Sequence, residues 1–227
     1  MPEEIKEQFD IVETSNVSSH ELDPLALSIV GRFSEGLILD RGAGSYDFEY
    51  PNVINLEVIA YPGTDIQAVN ERLPFQDETF DAVFSFAVLE HVKDPFRSAQ
   101  EISRVLKKGG ILYCVVPFLQ PLHGYPNHFF NMTSQGLRNL FDKAIIFLDY
   151  RVPVSGLPVW TLSWFLKSWA DGLSKKTRQD FLSMKVADLI SNPWDYLKQD
   201  FVTELSKEKQ FELASTTMII GKKSQNG

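Results

Sequence analysis

Apolar residues in this chain gather into short, nearly unbroken runs set apart by glycine, proline and acidic residues, a pattern that predicts strands. Runs of strand length lie at 37–40, 53–58, 65–69, 80–86, 111–116, 145–150 and 216–220. Those at 80–86 and 111–116 show almost no polar alternation, as expected of parallel strands covered on both faces. Between them Asp94 stands as an N-cap and Pro95 at the first helical position. Phe96, Ala99, Ile102, Val105 and Leu106 then form one apolar stripe, and Gly109 follows as the stop. Strand, capped helix and strand in that order predict a β-α-β unit and a parallel sheet. A second capped, proline-started helix is predicted over 24–30, behind Asp23, within a mixed and acidic N-terminal segment at 1–35.

The front of the sheet has little room for crossover helices. Only residues 42–52 separate the first two runs, with Pro51 among them, so a helix there is reduced to about a turn at most. Between the second and third runs about seven residues, including Pro62-Gly63, must return along a short strand, which a loop of some 23 Å reach can do. Thin cover on that edge calls for shielding by another part of the chain or by a partner subunit, which leaves room for a homodimer. Residues 153–207 read as a helical insertion, aromatic around Trp160, Trp164 and Trp169, with further helices at 179–190 and 193–205. Residues 211–221 resume as a strand and the tail from Lys222 is polar.

The most informative chemistry follows the first run. Leu37-Ile38-Leu39 leads into Asp40-Arg41-Gly42-Ala43-Gly44-Ser45, a strand ending in a glycine turn that lets backbone close around a small adenosine-bearing ligand. Seventeen positions after Asp40, Glu57 ends the second run, placed to accept hydrogen bonds from ribose hydroxyls. Taken alone, Gly42 and Gly44 favour an ordinary tight turn. Further along come Leu73-Pro74-Phe75, Thr79-Phe80-Asp81, Val88-Leu89-Glu90-His91-Val92 and the stretch from Glu101 to Gly110. In that order these motifs resemble the class I S-adenosylmethionine-dependent methyltransferases, in particular the type 11 methyltransferase domain, over about residues 30–152.

The resemblance implies an α/β Rossmann-like fold with a seven-stranded, mostly parallel sheet and an antiparallel last strand. It implies one methyltransferase-like domain over 1–227, with the helical insertion before the last strand as a substrate cap. S-adenosylmethionine is the implied cofactor, held by Asp40, Gly42, Ala43, Gly44, Glu57, Asn70 and Phe86. In that family Asp40, Gly42 and Gly44 line the methionine end and Glu57 takes the ribose diol. Three positions depart from the pattern: Arg41 replaces an aliphatic residue, Tyr46 replaces a third glycine, and Val69 stands where an acid meets the adenine amine. The side-chain carbonyl of Asn70 is the available substitute for that acid.

Methyl transfer from a sulfonium needs close, aligned reactants, and a base only for a poorly acidic nucleophile. His91 is the candidate base, with a structural histidine satisfied by backbone as the alternative. His123, Tyr125 and His128 lie in a stiff loop with three prolines, Pro117, Pro121 and Pro126, and are candidates for lining a substrate pocket, or for anchoring a connection that ends in Thr133 as a helix cap. The spacing of His91, His123 and His128 fits no compact metal motif, so no metal is expected.

Composition narrows the partners. With 30 acidic against 22 basic residues and a net charge of −8, the chain lacks the basic surface that tracks phosphates, and nucleic acid is a poor substrate. A small molecule or a saccharide is the expected acceptor. The lone Cys114 allows no disulfide within the chain and favours a reducing compartment. Met1-Pro2-Glu3-Glu4 lacks a secretory signal and no run of about 18 apolar residues occurs, so the expectation is a cytoplasmic protein without stable membrane insertion. Two other functions stay open: a binding or scaffolding protein descended from a methyltransferase, and an NAD(P)-linked oxidoreductase. Against the latter, the third glycine of its fingerprint would fall at Asp47.

Overall fold

The computed structural model describes residues 1–12, 21–45, 50–124, 127–141 and 144–222. The chain divides into two compact units, where the sequence suggested a single domain with an insertion. The first comprises Met1–Phe118 and Gly124–Arg151; the second comprises Leu119–His123 and Val152–Gly227.

The first unit contains helices α1 (Glu3–Phe9) and α2 (Pro24–Arg32), strands β1 (Ile38–Arg41), β2 (Val53–Glu57), β3 (Ile66–Gln67) and β4 (Phe80–Phe86), helix α3 (Pro95–Val105), strand β5 (Leu106–Val115) and helix α4 (Ser134–Phe141). All strand pairs are parallel, in the order β3-β2-β1-β4-β5. Side chains alternate between two cores, as the pleat requires. Ile38, Val53, Ala82 and Phe84 pack with Ala26, Ile29 and Val30 of α2. Leu39, Leu56 and Val83 pack with Ala99, Ile102 and Val105 of α3 and Phe141 of α4.

Local signals act where the sequence puts them. Asp23 Oδ1 accepts the Ala26 N–H at 2.8 Å, and Asp94 Oδ1 accepts that of Arg97 at 2.9 Å. Thr133 Oγ1 caps α4 through the Gly136 N–H at 3.0 Å. The connection from β2 to β3 is a loop, as its length dictates. It turns at Pro62-Gly63, where Gly63 has φ +84° and the Thr64 N–H reaches Tyr61 O at 3.0 Å.

The sheet differs from expectation in three ways. Among the described residues it has five strands, all parallel, instead of seven with an antiparallel last one. Residues 145–150 and 216–220 form no strand: their backbones find no ladder partner, and Ile146, Leu148 and Ile219 are 88%, 81% and 93% exposed. Secondly, β3 shrinks to two residues. Thirdly, Gly109 does not stop α3. The Glu78 and Thr79 N–H groups bond Arg104 O and Val105 O, so the helix end is satisfied and the chain enters β5 at once. Gly109, at φ +77°, instead sits in a bulge, between the pairs Phe80↔Leu106 and Ala82↔Ile111. Phe96, expected on the buried stripe of α3, is exposed.

The second unit is helical: α5 (Pro158–Asp171), α6 (Lys175–Ser183), α7 (Val186–Leu189), α8 (Asp200–Thr203) and α9 (Lys207–Glu212). The helices expected at 179–190 and 193–205 are broken into shorter pieces. Met184 adopts an extended backbone, and Pro193 opens a single 3-10 turn capped by Asn192. A strand expected over 211–221 is replaced by the end of α9 and irregular chain. Trp169 anchors this unit, stacking on Phe181 with centroids 5.9 Å apart and donating its Nε1–H to Phe201 O at 2.7 Å. Among the described residues no helix is long and apolar enough to cross a membrane.

Candidate functional site

In the first unit the sheet order runs outward from β1 in both directions, to β2 and β3 on one side and to β4 and β5 on the other. The chain therefore continues from β1 and from β4 in opposite directions along the sheet, and the carboxyl ends of two such strands form the crevice where open α/β sheets hold ligands. Asp40, Arg41, Gly42, Gly44, Glu57 and Phe86 all fall at or next to these strand ends.

Backbone geometry accounts for both glycines. Gly42 has φ +72° and Gly44 has φ +74°, a region that costs other residues about 1–2 kcal/mol. The Gly42 N–H extends the ladder to Leu56 O at 2.8 Å, and a Cβ on it would stand 2.3 Å from Val88 Cγ2. Glu57 then ties the turn to β2: its Oε1 accepts the Gly44 N–H at 2.7 Å and its Oε2 accepts the Val58 N–H at 3.0 Å. Burial pushes the Glu57 carboxyl above its ordinary range, with those two bonds acting in the opposite sense. Asp40 is almost wholly buried at the end of β1. Ala43 is also buried, among the residues of the α2 core.

Arg41 is fully buried. Its Nε donates to Asn70 Oδ1 at 2.9 Å, its Nη1 to Ser85 Oγ at 3.3 Å and its Nη2 to Ser98 Oγ at 2.5 Å. The guanidinium thus joins β1, β4, α3 and the segment after β3. Burial lowers its pKa to about 10, against the attraction of Cys114, Glu71 and Glu90. Burial likewise raises Glu71, whose Oε1 accepts the Lys93 N–H at 3.1 Å. This network escaped the sequence reading, although an ionisable residue closing an apolar strand was its signal. Asn70, read there as a carbonyl offered to adenine, directs that carbonyl to Arg41.

Phe86 stacks on Phe84 at 5.4 Å and meets Tyr113 edge-on at 4.7 Å. Ala87 follows with φ +53°, a strained conformation for alanine, and its N–H bonds Val115 O at 2.9 Å. His91 Nδ1 lies 2.6 Å from Asn127 O, and its Nε2 3.8 Å from Glu90 Oε1. A carbonyl only accepts, so Nδ1 carries the proton and Nε2 is the nitrogen that can take one. The His128 ring lies 5.5 Å from that of His91, centroid to centroid, and its Nε2 is 3.0 Å from Asn131 Oδ1. Gly124 makes room for His91, since a Cβ there would stand 2.3 Å from Cε1. His123 belongs to the second unit, with Nδ1 2.9 Å from Pro121 O and its ring 5.2 Å from that of Trp164. Tyr125 and Tyr46 lie outside the described residues.

Two carboxylates and a glycine turn thus gather at the strand ends. Glu57 ends β2, Asp40 stands one residue before the end of β1, and the turn after β1 carries little side-chain bulk at Gly42, Ala43 and Gly44.

Part of the chain is similar to known proteins. Residues 51–114 match the family model for a methyltransferase domain. An uncharacterised methyltransferase of Schizosaccharomyces pombe is 40% identical over 58 residues, 26% of this chain and 21% of the relative. The ubiquinone/menaquinone biosynthesis C-methyltransferase UbiE of Haemophilus ducreyi is 31% identical over 106 residues, 47% of this chain and 40% of the relative. The chain therefore spans two fifths or less of these curated relatives. Among solved structures, an S-adenosylmethionine-dependent methyltransferase from Thermotoga maritima, described as a possible histamine N-methyltransferase, aligns with a TM-score of 0.40 and 27% identity, over 52% of this chain and 68% of its own.

Proposed function

We propose, from the premise that this chain carries a class I S-adenosylmethionine-dependent methyltransferase domain, that it transfers a methyl group to a small-molecule or saccharide acceptor. The observation that carries the reading is the Glu57–Gly44 link, which holds a glycine turn against a carboxylate at the crevice of the sheet. S-adenosylmethionine, when bound, supplies an electrophilic methyl on a sulfonium. The chain's own residues bind and align the reactants. Glu57 accepts from the ribose hydroxyls, Asp40 faces the methionine end, and Gly42 and Gly44 keep side chains out of the cofactor's volume. Phe86 borders the same crevice.

His91 is the proposed base. Asn127 O fixes the ring through Nδ1, so Nε2 takes the proton of an acceptor that is not acidic enough to react unaided. His128, whose ring lies 5.5 Å from that of His91, is the proposed substrate contact beside it.

Calorimetric titration with S-adenosylmethionine, S-adenosylhomocysteine and NADH tests this reading. Binding of the first two with none of NADH is expected. The Glu57→Ala variant should bind more than tenfold more weakly, since its carboxylate takes two hydroxyls at once, each worth about 1–2 kcal/mol. His91→Ala should bind normally and turn over more slowly. Unchanged affinity in the Glu57 variant would remove the ribose site, and NADH binding would favour an oxidoreductase.

A further inference from the structure

Arg41 occupies a position that is aliphatic in the family the chain resembles, and it does more there than fill space. A guanidinium has donors only, so whatever it bonds must turn an acceptor toward it. Asn70 does so with Oδ1, at 2.9 Å from Nε. The planar amide points its oxygen and nitrogen in different directions about Cγ, so fixing one fixes the other. Ser85 and Ser98 hold the remaining guanidinium nitrogens from β4 and α3, which leaves the fork no other orientation. Both Arg41 and Asn70 are buried, so this arrangement is not exchanged with water. Asn70 also lies three residues beyond β3, whose Gln67 pairs with Glu57, so it stands at the strand ends next to the proposed ribose acceptor.

We infer that Arg41 is a positioning residue for nucleobase specificity: by holding Oδ1 of Asn70 it makes the side chain present N–H donors to the base, so that a ring nitrogen of adenine is read there and not the exocyclic amine. The inference rests on the proposed S-adenosylmethionine site. Its chemical content is a change of polarity, from an acid accepting from the amine to an amide donating to an acceptor. Adenine offers such acceptors at N1 and N7, on either side of the amine.

The test compares binding of S-adenosylhomocysteine with three counterparts, one lacking the 6-amino group, one with carbon at ring position 1 and one with carbon at ring position 7, by calorimetry on the full chain. The deamino compound should bind within about threefold of the parent. One of the two deaza compounds should bind about tenfold more weakly, the effect of one lost hydrogen bond. Asn70→Ala should abolish that gap, and Arg41→Met, which frees the amide to turn, should shrink it. Should Arg41→Met fail to fold, Asn70→Asp gives the same information: a carboxylate can only accept, so this variant should penalise the deamino compound instead. If the wild type loses about tenfold on the deamino compound while both deaza compounds bind like the parent, or if the deaza gap survives in Asn70→Ala, the inference is overturned. Absence of S-adenosylhomocysteine binding altogether would instead overturn the cofactor site, and the inference with it.

Discussion

Gly42 shows how much one missing atom decides. Its φ of +72° is one penalty for any other residue, and the 2.3 Å approach to Val88 is a second. Gly42→Ala should therefore cost about 2–5 kcal/mol in urea unfolding, the sum of backbone strain and overpacking. A loss below about 1 kcal/mol would mean that Val88 moves aside freely. Glu57 makes a different prediction, in pH. Burial raises its carboxyl above 4.5, so the folded chain holds this proton more tightly than the unfolded one. Stability then falls as pH rises through the window between 4.5 and the raised value, and is recovered as pH is lowered. Compared with Glu57→Gln, the wild type should lose stability as pH rises above 4.5 through the raised value; parallel stability curves would refute the burial account. Both residues were legible in the sequence, because a glycine turn and a strand-end acid are local signals. Arg41 was visible only as an oddity. Its partners Asn70, Ser85 and Ser98 lie 29, 44 and 57 positions away, and no local rule brings them together.

The α3 element carries its instructions at its start more clearly than at its end. Asp94 and Pro95 set the first turn, and Asp94→Ala should destabilise the first unit by about 1 kcal/mol, measured as a lowered urea midpoint with an unchanged slope. Its far end is set by residues 78 and 79, which precede it by a whole strand and helix. Gly109 looked like a helix stop because glycine serves bulges and helix ends for the same reason, access to positive φ. The apolar runs at 145–150 and 216–220 illustrate the opposite case. Their composition suits a strand, but a strand exists only with a partner, and apolar content does not say where a partner is. Within the second unit, aromatic density marked a helix correctly over 158–171 but said nothing of where proline and extended residues would divide the rest.

On the scale of the molecule, the α/β class and the parallel sheet followed from the sequence, whereas the strand order and the two compact units were not read from it. The boundary near 152 is close to the predicted start of the insertion, yet residues 119–123 group with the second unit across more than 25 intervening positions. Two units with separate cores predict two transitions in scanning calorimetry. S-adenosylhomocysteine at about 100 times its Kd should stabilise the first unit's transition by about 2.7 kcal/mol and leave the other in place. A single transition that shifts as a whole would show the units to unfold together.

The flanks of the sheet are unequal, and that inequality has a consequence for how the protein behaves in company. On one side, β3 is two residues long and, among those described, pairs only with β2, too short an edge to template anything. On the other, β5 runs for ten residues and, among those described, pairs only with β4. Recruitment of a foreign strand, whether in assembly or in aggregation at high concentration, is thus expected at β5 and not at β3.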